Sequence, residues 1–210
     1  MTIAVVSEVS SKSKNAAVIN ALKKFDFEIL NLGMKDIEGE SELTYIHTGL
    51  ISAVLLNAGC VDLVVGGCGT GQGYLNAITQ YPGAFCGLVE SPLDAWLFQQ
   101  INGGNAISLA LNKGFGWAGD INLEFVFERL FSVESGSGYP PHRAESQAQS
   151  RAMLQSISAL THRSMAEIIS LLPDAMVNAA IGFPGIMETL RAKVPSHEIT
   201  AACEMRLTNG

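Results

Sequence analysis

Positive charge is scarce in this 210-residue chain. Thirteen lysines and arginines face 20 aspartates and glutamates, for a net charge of −7. A chain this acidic is a poor fit to nucleic acid or an anionic membrane, which select lysine- and arginine-rich patches. Charge of either sign is sparse, at 16 % of residues, while apolar residues make up 48 %. That balance excludes a disordered chain and suits a well-filled core. The four cysteines, Cys60, Cys68, Cys86 and Cys203, include no C-x-x-C pair. Zinc spacing is therefore absent, no metal site is expected, and the thiols fit a reducing compartment rather than a disulfide framework. Long apolar runs are missing too, broken by Asn57, Asp62 or glycine, so no membrane span is expected. Met1 leads straight into a short apolar strand and then polar residues, without the pattern of a leader. These absences predict a soluble, cytoplasmic protein.

What is present is concentrated in Gly66-Gly67-Cys68-Gly69-Thr70-Gly71-Gln72-Gly73, five glycines in eight residues. The run Val61-Asp62-Leu63-Val64-Val65 that feeds it has the pattern of a buried parallel strand. Lacking Cβ atoms, Gly69, Gly71 and Gly73 allow φ above zero and close approach to a ligand. Successive amides can then converge on an anion, helped by the positive end of a following helix. A cysteine in such a loop is favoured as thiolate, which makes Cys68 the candidate reactive group. The competing reading of Cys68 is a small buried hydrophobe, and that of Thr70 a turn residue bonding its own backbone.

Strand-like runs at Thr2–Val6, Phe27–Leu32, Val61–Val65, Ala84–Val89 and Ala106–Leu111 alternate with helical patterns. Ser10 or Ser11 is placed to cap the first helix, and Leu43–Asn57 has the clearest amphipathic period. Ser91-Pro92-Leu93-Asp94 carries an N-cap serine, an N1 proline and a first-turn acid, a strong helix start. The pattern predicts a doubly wound, Rossmann-like, five-stranded parallel sheet. Right-handed crossovers would gather Glu8, the Cys68 loop, Glu90 and Asn112-Lys113 at one sheet edge. Ser135-Gly136-Ser137-Gly138 is a flexible linker. It divides an α/β domain, 1–139, from a helical C-terminal extension, 140–210. Two apolar faces in that extension need burial on this chain or a neighbouring subunit: Met153, Ile157 and Leu160, and Ile168, Ile169, Leu171 and Leu172.

The strand followed by Cys68-Gly69-Thr70-Gly71-Gln72-Gly73 resembles the CGTG-x-G signature of the ribose-5-phosphate isomerase B and galactose-6-phosphate isomerase family, over roughly residues 1–145. The resemblance implies an aldose–ketose isomerase acting on a sugar or sugar phosphate through an enediol. Cys68 would be the base and Thr70 the partner of a ring or carbonyl oxygen. The amides of Gly69, Gly71 and Gly73 would hold the enediolate. No cofactor is implied. Two subunits would complete each site, in a homodimer or homotetramer. Several family positions differ. Glu8-Val9 replaces Asp-His, and Glu8 keeps a carboxylate for sugar hydroxyls. Tyr45 keeps the family tyrosine, though Ile46 replaces its proline. Asn102 keeps an asparagine, but Ile101 replaces the ring-opening histidine before it. His47 would substitute only if the fold brought it close. The phosphate arginines are missing. One aligns with Asn112, leaving adjacent Lys113, and two align near Pro141 and Glu145, leaving Arg143 between them. Lys113 and Arg143 could take over the phosphate; otherwise the substrate could carry a carboxylate or no anion. The family ends near position 145, so the extension lies beyond the resemblance. Two other readings stand beside the enzyme: a non-catalytic carbohydrate- or metabolite-binding protein on the same fold, and a nucleotide-binding α/β protein. The second fits poorly, because the glycines follow the third strand and do not make G-x-G-x-x-G.

Overall fold

The structure, a computed structural model, describes residues 1–208. Five short strands form an all-parallel sheet: β1 (Thr2–Val6), β2 (Glu28–Asn31), β3 (Leu63–Cys68), β4 (Cys86–Val89) and β5 (Ala106–Ala110). Their order is β2-β1-β3-β5-β4, the expected doubly wound sheet. Alternate residues feed two apolar layers. Ile3 and Val5 face one with Val65, Ile107 and Leu109; Ala4 and Val6 face the other with Val64. The helices α1 (Asn15–Leu22), α4 (Pro92–Leu97) and α5 (Gly119–Leu130) cover the first layer, while α2 (Tyr45–Asn57) and α3 (Gln72–Ile78) cover the second. Chain direction across the sheet reverses between β1 and β3. In open α/β sheets the crevice outside the strand ends at that point is where ligands bind.

Three local expectations change. The central strand extends through Gly66 and Gly67 to Cys68, all buried. Its glycines serve packing: a Cβ on Gly66 would lie 2.1 Å from Cζ of Tyr74. The fully buried Tyr74 ring takes that space, its hydroxyl 2.7 Å from Ser52 Oγ. Neither Ser10 nor Ser11 caps the first helix. A 3-10 turn, Lys12–Lys14, intervenes, and both hydroxyls turn to Glu8. Finally, α2 is not amphipathic. Every residue from Thr48 to Leu55 is buried, because the C-terminal helices cover the face turned away from the sheet.

Those helices are α6 (Ala144–Thr161), α7 (Met165–Leu171), α8 (Asp174–Ile181), α9 (Ile186–Lys193) and α10 (Glu198–Thr208). Ile169, Val177, Ile181, Ile186, Leu190 and Cys203 share one continuous apolar cluster with Val6, Leu50 and Val64. Residues 165–203 therefore complete the core of the α/β sheet. The apolar face of α7 finds its burial through Ile169, Ile168 and Leu172, while Leu171 stays exposed. That of α6 does not: Met153, Leu154, Ile157 and Leu160 are all exposed in the single chain. Truncation after Ala144 is expected to uncover the second apolar layer and yield insoluble or non-cooperatively melting protein. A soluble fragment with a single sharp thermal transition near that of the full chain would contradict this packing.

Candidate active site

The loops after β1, β3, β4 and β5 meet at one edge, and hydrogen bonds lock three of them together. Glu8 is 2 % exposed, and its Oε1 accepts from Ser10 Oγ. The same Ser10 Oγ accepts from the amide of Gly69 at 2.9 Å. Asn112 Nδ2 donates to the Ser10 carbonyl at 2.7 Å. The carbonyl of Gly69 in turn accepts from the amides of Asn112, at 3.0 Å, and Lys113, at 2.9 Å. Both polar groups of Gly69, the residue that follows Cys68, are therefore held from opposite sides.

Cys68 ends β3 at 6 % exposure, its Sγ 3.9 Å from Thr70 Oγ1. The three glycines after it do different jobs. Only Gly71 takes the left-handed conformation, with φ 76°, at the entry to α3. The amide of Gly69 is spent on Ser10, so it is not free to hold an enediolate as expected. Gly73 makes room for Tyr45, whose ring lies 3.0 Å from where a Cβ would sit. Tyr45, at the first turn of α2, is thereby brought over the loop. Among the described residues the amides of Thr70, Gly71 and Gly73 have no recorded acceptor.

The remaining candidates divide. Lys113 reaches the same edge, but its Nζ is paired with Glu90 Oε1 at 2.6 Å. Both partners are substantially exposed, and a pair of this kind contributes little and opens easily. Asn102 does not reach Cys68 within one chain. It ends a π-helical turn, Phe98–Asn102, that leads into the Ala106 end of β5. Cys68 pairs with Ala110, at the other end of that strand. Four residues of strand separate the two ends, about 13 Å. Asn102 instead lines a cleft of about 290 Å³ with Cys86, Phe98, Arg151 and Leu154. Arg143 is exposed and donates from Nε to Ser146 Oγ at 3.3 Å, with no recorded bond to the Cys68 loop. It follows a segment pinned to the same π turn, with Gly138 N donating to the Gln100 carbonyl at 2.8 Å.

A model of ribose/galactose isomerases matches residues 3–129, the span that carries the sheet and all four of these loops. The chain belongs to the ribose/galactose isomerase family. Membership makes it a sugar isomerase, and solved structures agree. A 4-deoxy-L-threo-5-hexosulose-uronate ketol-isomerase, solved with a tartrate, is 38 % identical with a TM-score of 0.95, covering 99 % of this chain and 100 % of its own. A ribose-5-phosphate isomerase from Vibrio parahaemolyticus is 40 % identical with a TM-score of 0.93, covering 98 % and 99 %. The ribose-5-phosphate isomerase B from Clostridium thermocellum, at 21 % identity and a TM-score of 0.62, shares the fold; all of it is covered by 77 % of this chain. No curated protein matched in sequence. The two nearly full-length matches extend through the C-terminal helices, so that extension is common to this isomerase and both relatives.

Two further groups bound the isomerase's chemistry. Burial pushes the thiols of Cys86 and Cys203 up to about 12, with the charge of Glu204 adding to the effect at Cys203, and it raises that of Cys60. Those three sulfurs are protonated at neutral pH. His47 caps α2, its Nδ1 accepting from the Thr44 amide at 3.0 Å, and partial burial lowers its pKa from 6.5. It is thus a neutral acceptor committed to a helix end. Ser10 was placed in the sequence only as a helix cap. The signal for its site role was a hydroxyl two residues past a strand-end carboxylate.

The His47 shift sets a sign for stability. The unfolded imidazole takes a proton below about 6.5, whereas the folded one stays neutral to lower pH. Its contribution is present above about pH 6.5 and lost as the pH falls through the lower folded value. His47→Gln keeps the cap, since glutamine suits the third helical position of a capping box. The loss of thermal stability from pH 7.5 to 5.5 should be smaller in that variant than in the native chain, and an equal loss in both would refute the assignment.

Proposed function

We propose that this isomerase converts an open-chain keto-uronate between its aldose and ketose forms, with Cys68 as the base. Cys68 Sγ removes the proton from C2 of a 2-hydroxyaldehyde. The resulting enediolate takes the proton back at C1, while the oxygen-bound proton moves from O2 to O1. Thr70 and the amides of Thr70, Gly71 and Gly73 orient the carbonyl oxygen and hold the developing charge, the arrangement that favours such an intermediate. Glu8 and Tyr45 hold hydroxyls. No step calls for a cofactor.

The observation that carries the substrate class is the pair of family positions that differ. Ile101 stands where the family resemblance places a ring-opening histidine, and Asn112 where it places a phosphate arginine. A 4-deoxy-5-hexosulose uronate, the substrate class named for the relative that is 38 % identical, accounts for both. It has a ketone at C5 and no hydroxyl at C4, so it lacks the groups that close a pyranose or furanose on C1. A ring-opening acid has nothing to act on. Its anion is a single carboxylate, which asks less of the protein than a phosphate and its bidentate arginines. Asn112 is meanwhile committed to Ser10. The 40 % identity to a ribose-5-phosphate isomerase supports a sugar phosphate as the second reading.

The distance between Asn102 and Cys68 within one chain supports the two-subunit site implied by the resemblance. In a homodimer, Asn102 and Arg143 of one copy would serve Cys68 of the other, and the exposed face of α6 would gain a cover. In D₂O, the chain should place deuterium at C1 of the ketose formed from 4-deoxy-5-hexosulose uronate, far faster than from ribose 5-phosphate. Cys68→Ala should lose about 10²- to 10⁴-fold, the range for removal of a general base. Preference for ribose 5-phosphate would overturn the substrate class, and an active Cys68→Ala would overturn the base.

A further inference from the structure

A chain of hydrogen bonds, Glu8–Ser10–Gly69, links a proposed substrate ligand to the residue after Cys68. Glu8 is a buried carboxylate with no cation recorded against it, and the Ser10 hydroxyl is the group recorded as donating to it. Only Oε1 is engaged, and no described residue donates to Oε2. That second oxygen is not among fully sealed side-chain atoms without a partner, so it keeps some contact with solvent. The Ser10 Oγ that donates to Glu8 also accepts from the amide joining Cys68 to Gly69. The side chain is exposed enough that removing it should not unfold the protein. Asn112 meets Ser10 only at its backbone carbonyl, so a change of the Ser10 side chain leaves that bond in place.

We propose that Ser10 is a positioning residue: one hydroxyl fixes both the peptide that aims Cys68 Sγ and the rotamer that presents Glu8 Oε2 to a substrate hydroxyl. The proposal rests on the isomerase reading of Cys68. A base must be held within tenths of an ångström of its proton to act efficiently, and displacement by a misplaced loop is costly. Ser10 binds nothing itself. It couples the loops after β1 and β3 across the switch point, so the acid that holds the substrate and the thiol that deprotonates it move as one unit.

Three variants test this: Ser10→Ala, Ser10→Thr and Cys68→Ala, read by amide hydrogen exchange at Gly69 and by steady-state kinetics on the uronate. Ser10→Ala should lose Gly69 protection and about tenfold in kcat, the worth of one ordinary hydrogen bond, with KM within about twofold of native. Ser10→Thr restores the hydroxyl and should recover both. Unchanged Gly69 exchange in Ser10→Ala would overturn the proposal, as would lost protection with kcat intact. A rise in KM alone would also overturn it, by making Ser10 a substrate ligand. Failure of the isomerase reading shows separately, as full activity in Cys68→Ala, while the Gly69 exchange still reports whether the clamp exists.

Discussion

Gly69 is gripped through both its N–H and its carbonyl, and the rest of the site depends on that grip. Its N–H goes to the loop after β1 through Ser10, and its carbonyl goes to the backbone after β5. Those loops are neighbours only because β1, β3 and β5 lie side by side in the sheet. The sheet order thus becomes the aim of one sulfur. Tight packing beneath enforces it: the Tyr74 ring seated on Gly66 and the approach of Leu109 to Gly67 leave β3 no room to shift.

Charge is used sparingly around this point. The acidic carboxylate of Glu8 is paired with a hydroxyl, Lys113 is matched by Glu90, and Lys14 lies over the Phe115 ring in the loop after β5. On the proposed reading, a monoanion with an open chain needs mainly hydrogen-bond donors, and the unengaged loop amides would supply those. The helices from α7 to α10 pack on the second apolar layer. Their part is to bury the outer face of α2, whose first turn carries Tyr45 over Gly73 and His47 as a cap.

Much of this was legible in the residues. Alternating apolar runs and crossover lengths carried the five parallel strands, and the strand-end rule carried the meeting of Glu8, Cys68, Glu90 and Lys113. The failures share a cause. Gly66 and Gly67 look like loop because glycine is rare in strands, yet here each absent Cβ is the space for a packing partner, the Tyr74 ring for Gly66 and the Leu109 backbone for Gly67. Ser10 looks like a cap because local spacing is all a linear pattern shows, whereas its partner Gly69 is 59 residues away. The burial of α2 on both faces was hidden because the covering helices lie more than a hundred residues downstream. Asn102 was grouped with Thr70 by family position, and only the strand register shows them at opposite ends of β5.

The central proposal is that Cys68, and none of the other three thiols, is the sulfur of the working site. Substoichiometric alkylation near pH 8, followed by peptide mapping and residual activity, tests it most directly. The account predicts a single label on Cys68 and activity lost in proportion to it, with Cys60, Cys86 and Cys203 unlabelled in the folded chain. Labelling of Cys60, Cys86 or Cys203 ahead of Cys68, or full activity with Cys68 alkylated, would contradict it.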